Sequence, residues 1–262
     1  MSNPEWYEDT QKHLVGVFDA GQDYWNSAYG QAQWHCERAC LGPILERLTG
    51  QHALELGMAS PLIELAPVRH HIRWTPSLGQ AMHPSTLVCD PAAMALPDES
   101  MDVVLVHHLL EAAPKPHHIL REAARVTSDH GSLLIVGWHP FGLGMLNRCL
   151  PSRRNEWPCH GQWHSVQRMK DWLTFVDFEI ERVDYCGFGV SGYGNFESWG
   201  RRHNFPLGSA FVINACRKMT RVRPIRLRFP VRAFVPGGMV GHGTSLAHQN
   251  EWHEKGRIKA DE

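Results

Sequence analysis

The sequence predicts an α/β protein: a mostly parallel β-sheet with helices on both faces. Three observations predict it. Short β-rich runs alternate with helix-like segments from residue 50 to residue 138. The runs "DVVLVHH" and "SLLIVGW" are almost wholly apolar, as strands covered on both faces are. Polar residues collect where the runs end, at the edge where open parallel sheets bind ligands.

Residues 1–30 are polar and aromatic and read as a lead-in with one short helix. In "HCERACLGPILERL", residues 35–48, Cys36, Cys40, Ile44 and Leu48 recur every fourth position, so one helix face carries them. Pro43 is expected to start or kink this helix and Gly50 to stop it. "HALEL" is a first buried strand, "LIELAPV" a short helix ended by Pro67, and "HHIRW" a second strand. "STLVCD" is a third strand with Asp90 at its end, and "PAAMALPDESM" is a loop or short helix. "DVVLVHH" is the fourth strand. "PHHILREAARVT" carries Ile119, Leu120, Ala123, Ala124 and Val126 as a helical stripe, with Gly131 as its stop. "SLLIVGW" is the fifth strand. A Gly- and Pro-rich stretch, 139–163, precedes the amphipathic helix "SVQRMKDWLTFV". "FEIERVDYCGFG" and "SAFVINACRK" read as two more strands forming a closing hairpin.

The 262 residues suit one large domain or two small ones, and 43% apolar residues support a substantial core. A formal net charge of −1 gives no whole-protein field favouring nucleic acid or membrane. The seven cysteines form no CxxC pair and are odd in number, which suits reduced thiols in a cytoplasmic protein. No signal peptide is visible, and no apolar run approaches the roughly 18 residues that span a bilayer. Residues 217–232 hold seven basic residues and no acid, and 217–262 read as a basic tail without fixed structure. The arginines alternate with apolar residues, which is compatible with phosphate contact, but no stacking aromatics accompany them. Nucleic acid is therefore the weaker partner reading. The clusters "HCERAC", "PHH" and "PCHGQWH" lack the paired ligand sets of a structural zinc site, so no metal is expected there.

The strand ends bring Glu55 and Gly57, Trp74 and Thr75, Asp90, His107 and His108, and His139 to one edge. Three segments then resemble the class I S-adenosylmethionine-dependent methyltransferases: "HALELGMASP", "LPDESMDVVLV" with "ILREAARVTSDHGSLLIV", and "RMKDWLTFVDFEIERV". The similarity is greatest to the branch of ubiquinone and menaquinone biosynthesis enzymes, over residues 50–215. The resemblance implies a Rossmann-like sheet of seven strands with the last antiparallel. It divides the chain into a lead-in or lid (1–34), a methyltransferase-like domain (35–216) and the tail. It implies adenosylmethionine as cofactor, contacted by Glu55, Gly57, Met58, Ala59, Thr75, Asp90, Pro91, Ala92 and His107. In that picture Glu55 helps hold the methionine end, Asp90 accepts from the adenine amine, and Pro91 and Ala92 flank the ring. His107 positions or deprotonates the acceptor. His108, Trp138 and His139 line the acceptor pocket, and Trp6, Tyr24 and Trp25 of the lid add pocket walls.

Two departures from the family pattern are visible. The glycine loop reads Gly57-Met58-Ala59-Ser60-Pro61, with a Cβ at 59 and no backbone donor at 61. Residues 68–80 contain no acid for the ribose hydroxyls. Two readings follow: methyl transfer to a small or medium acceptor, or a catalytically inactive relative that binds or regulates, contacting an acidic partner or RNA through its arginine-rich tail. A nicotinamide dehydrogenase is disfavoured, because no GxGxxG follows the first strand.

Overall fold

The computed structural model describes residues 5–80, 84–142, 158–159, 161–188 and 194–218. All of these fall in one compact unit, Met1–Thr220. The basic tail beyond Lys218, and the side chain of Trp6, lie outside the described residues.

Among the described residues, seven strands form one sheet in the order β3-β2-β1-β4-β5-β7-β6. They are β1 (Gly50–Gly57), β2 (Val68–Thr75), β3 (Thr86–Val88), β4 (Met101–His107), β5 (Thr127–Trp138), β6 (Phe178–Cys186) and β7 (Ala210–Arg217). β1 pairs in parallel with β2 and β4, β2 with β3, and β4 with β5. β7 runs antiparallel between β5 and β6. The mostly parallel sheet with an antiparallel last strand is thus present. The reversal of strand order between β1 and β4 places the ligand edge at the ends of those two strands. Asp102 ties their other end together, its Oδ2 accepting from Gln51 N at 2.6 Å and His52 N at 3.1 Å.

One face of the sheet packs Leu54, Leu56, Val104, Val106, Leu133 and Ile135, and the other Ala53, Val103, Leu105, Leu134 and Val136. That division follows from the strict alternation of side chains along each strand. Helix α3 (Pro116–Val126) buries the expected stripe of Ile119, Leu120, Ala123, Ala124 and Val126. It passes directly into β5 at Thr127, so the strand, and not Gly131, ends it. Helices α4 (Val166–Phe175) and α5 (Gly194–His203) complete the cover, and α5 separates the two strands expected as a closing hairpin.

The N-terminal part differs most from the sequence reading. Instead of one short helix, α1 runs from Glu5 to Asn26, and α2 from Ala28 to Leu45. Ser27 separates them as an N-cap, its Oγ accepting from Gly30 N at 3.1 Å. A Cβ at Gly30 would lie 2.1 Å from Tyr24 O, so only glycine permits so tight a join. Pro43 sits in the last turn of α2, and Gly50 opens β1 rather than stopping a helix. The buried face of α2 is Gln33, Glu37, Leu41 and Leu45. The Cys36–Cys40–Ile44–Leu48 row lies beside it, half-buried. "LIELAPV" forms only a 3₁₀ turn, Ile63–Leu65. Among the described residues no helix is long and apolar enough to cross a membrane, and the described cysteines are unbridged.

Candidate functional site

The turn after β1 is held without flexible glycines. Glu55, 3% exposed, accepts from Leu62 N at 3.1 Å and Ile63 N at 3.1 Å. Ala59 O accepts from the Arg73 guanidinium at 3.3 Å, and Ser60 O from Trp34 Nε1 at 3.1 Å. Met58 and Ala59 are buried. A Cβ on Gly21 of α1 would fall 2.6 Å from Met58 Sδ, so the helix lies directly on the turn. Gly57 also has a steric reason, because its Cβ would come 3.0 Å from His107 Cβ.

Burial pushes the Glu55 carboxyl up to about 7, against the two backbone donors and Arg73, which lower it. An acid whose folded-state value is raised stabilises most when protonated. Its contribution is complete below its unfolded value near 4.5 and lost as pH rises through about 7. Glu55→Gln keeps an acceptor for the two N–H groups and removes the ionisation. Urea unfolding at a series of pH values should show the decline between pH 4.5 and 7 flattened in the variant.

At the end of β2, Thr75 is buried and donates to Ser77 O at 3.3 Å. Trp74 donates from Nε1 to Cys89 O at 2.8 Å and meets Phe18 of α1 edge-on at 6.0 Å. Next to Phe18, Asp19 accepts from Gln80 Nε2 at 2.5 Å. Beyond β3, Asp90 turns one oxygen into its own loop, accepting from Ala92 N at 2.9 Å. Pro91 is buried and Ala92 half-buried.

The end of β4 carries the chemistry. His107 and His108 are both fully buried. Their Nε2 atoms converge on one carboxylate, Glu37 of α2: His107 meets Oε2 at 2.8 Å, and His108 meets Oε1 at 2.9 Å. Gln33 Nε2 donates to Oε1 of the same group at 2.8 Å. Adjacent strand residues point to opposite faces. Here His108 has left the strand with φ 51°, which turns its ring back toward Glu37. A non-glycine residue in this region carries strain of about 1–3 kcal/mol. His108 Nδ1 lies 3.5 Å from Glu111 Oε1, and that oxygen accepts from Trp138 N at 2.7 Å. His107 Nδ1 has no hydrogen-bond partner among the described residues.

Burial opposes charge at all three groups, and proximity overrides it at two of them. For Glu37, burial raises the carboxyl, yet the His108 charge and both imidazole hydrogen bonds hold it down at about 2. For His108, burial lowers the ring, yet Glu37 and Glu111 lift it to about 9. Burial wins at His107, which is lowered. The cluster therefore holds a Glu37 carboxylate, a His108 cation and a neutral His107 at pH 7. Aromatic rings enclose it. Trp25 lies 5.2 Å from the His107 ring and 5.3 Å from the His108 ring, and Trp138 lies 4.4 Å from His108.

Of the residues singled out in the sequence, the structure joins His107, His108, Trp138, Tyr24 and Trp25 in this cluster. His139 lies elsewhere, packing against Tyr185 at 5.1 Å and Phe141 at 6.0 Å. Glu37, Asp19, Gln33 and Glu111 went unnoticed in the sequence. The only signal for Glu37 is a charged residue on the same helical row as Leu41 and Leu45.

Residues 50–135 match the family described as a methyltransferase domain. The chain is similar to the uncharacterised protein YafS of Escherichia coli K12, 33% identical over 158 residues, and covers 60% of itself and 62% of that relative. Among solved structures it resembles a methyltransferase of Thermotoga maritima, described as a possible histamine N-methyltransferase. The two share 18% identity over 77% of this chain and all of that one, with a TM-score of 0.56. It also resembles the complex of the Haloferax volcanii Trm112 methyltransferase activator with a methyltransferase. There the identity is 14% over 79% of this chain and 98% of that one, with a TM-score of 0.57. Residues 50–135 thus match a methyltransferase-domain family, and the described chain shares the fold of class I S-adenosylmethionine-dependent methyltransferases.

Proposed function

We propose that the protein transfers a methyl group from S-adenosylmethionine to a small or medium acceptor at the carboxyl edge of β1–β4. The observation that carries this reading is the coincidence of the methyltransferase-domain match, residues 50–135, with that edge. The donor set suits the cofactor. Glu55 and the turn it holds suit the methionine end. Asp90 has spent only part of its acceptor capacity on Ala92 N, since a carboxylate offers about four acceptor sites. The acid missing after β2 has a substitute in Asp19, which α1 brings to Gln80, five residues past Thr75. Gly57, Met58, Ala59, Thr75, Pro91 and Ala92 form the walls between these anchors.

Adenosylmethionine, when bound, supplies an electrophilic methyl group on a sulfonium. The chain's task is then to orient the acceptor and exclude water. His107 is suited to orientation: with Nε2 on Glu37, Nδ1 is left to bond an acceptor atom on the Gly57 side. Trp25 and Trp138 keep the region dry.

Calorimetric titration of the full chain with adenosylmethionine and with its demethylated product tests the proposal. Binding is expected, and Asp19→Asn and Asp90→Asn should each weaken it about tenfold, the equivalent of one charge-assisted hydrogen bond. Absence of heat at millimolar ligand contradicts it. The rival reading is a methyltransferase-fold binding protein without transfer. Ala59 and Pro61 in the turn favour it. Binding that appears only after Ala59→Gly with Pro61→Gly would support that rival.

A further inference from the structure

We infer that Glu37, His107 and His108 form a buried site for one divalent transition-metal ion of borderline character, zinc or ferrous iron. One ligand atom from each residue lies within 4.8 Å of the others. The Glu37 oxygens are 2.8 and 2.9 Å from the two Nε2 atoms. Ligands bound at about 2.0–2.2 Å to a common ion lie roughly 3 Å apart, so an ion needs only small outward movement of the three side chains. Two imidazoles and one carboxylate are the donor set of catalytic zinc and of non-haem iron, both of which keep a further position open.

Three further features point the same way. The first is the φ of 51° at His108. An unstrained strand end would send this ring to the opposite face from His107, whereas the left-handed turn brings a second Nε2 to the same carboxylate. The second is the outer ring of partners. Glu111 Oε1 stands 3.5 Å behind His108 Nδ1, and Gln33 donates to Glu37. A carboxylate behind a ligating histidine fixes its tautomer and raises its basicity. The third is the shell: Trp25 and Trp138 pack against the rings and keep the surroundings of the site apolar. In the metal-bound form both histidines ligate through Nε2 and carry their protons on Nδ1. The Glu37–His108 ion pair is replaced by coordination, and the His108 proton is released to solvent.

The experiment uses the full chain purified without a polyhistidine tag, stripped with chelator and titrated with Co2+. One cobalt per chain is expected, with the intense visible bands of a four- or five-coordinate ion, displaced by Zn2+. Glu37→Gln and His108→Gln should each lower cobalt affinity at least tenfold. Glu111→Gln should lower it about 10- to 100-fold. His130→Gln, an exposed histidine, should leave it unchanged. Elemental analysis of the unstripped protein separates zinc from iron. Wild-type protein that takes up no more cobalt than Glu37→Gln overturns the inference. So does an X-ray absorption spectrum of the wild-type zinc complex with fewer than two imidazoles, a measurement that depends on no variant folding. None of these readouts requires methyl transfer, so they stand or fall separately from it.

Discussion

Glu37→Leu is expected to lower the unfolding free energy of the chelator-treated protein by about 3–5 kcal/mol. The carboxylate is fully buried and accepts from His107, His108 and Gln33 at 2.8–2.9 Å. Leucine removes all three interactions at once. His108 is then a buried imidazole whose Nε2 side has lost its partner and whose charge is balanced by Glu111 alone, 3.5 Å from Nδ1. The penalty comes mainly from the partners left behind and not from the lost attraction itself. Replacing both histidines by leucine in the same chain should therefore recover much of the loss. Urea denaturation followed by circular dichroism measures all of these. A single-variant loss below about 1 kcal/mol, the level of an exposed pair, would mean that water reaches the cluster.

Trp25→Ala should cost a similar amount, about 3–5 kcal/mol, because a large buried ring leaves a cavity that rigid neighbours cannot fill. Trp25 is 2% exposed and stacks on Trp138 at 6.1 Å with 13° between the rings. It is the wedge by which α1 reaches both histidines. The loss should therefore be local as well as global. Amides of α1 should exchange with solvent faster than those of β4 and β5 in the variant. Trp25→Phe, which keeps a ring, should show a much smaller change. Equal exchange in α1 and the central strands would mean that Trp25 stabilises the whole core and not the seating of α1.

The sheet was legible because its signal is local. "DVVLVHH" and "SLLIVGW" allow no surface that faces water, and the α3 stripe has a helical period, so the central α/β layers followed from patterning. Asp90 and Glu55 were legible as carboxylates near strand ends, because an acid in or just after a short apolar run stands out. The N-terminal helices were not. α1 buries a stripe of Leu14, Val17, Phe18 and Trp25 that the polar composition around it hides, and its tie to α2 rests on one glycine whose need arises from the Tyr24–Trp25 backbone. Glu37 was illegible for a stronger reason. Its partners lie 70 and 71 residues away, and charge on a helix ordinarily faces water. The Cys36 row looked more apolar than the Glu37 row, and periodicity alone chose the wrong neighbour. Nor does the sequence disclose that His108 leaves the strand with positive φ, which decides that both histidines face one group.

The outer border of the sheet formed by β6 bears on how this protein behaves when concentrated. Its chain reads Phe178-Glu179-Ile180-Glu181-Arg182, with both glutamates and the arginine exposed, and its register slips between Ile180 and Arg182. Charges and an irregular step along a border that is unpaired among the described residues deter a second molecule from adding a strand. Resistance to self-association through sheet extension is thus written into this flank, and neutralising Glu179 and Glu181 together would expose a template for it.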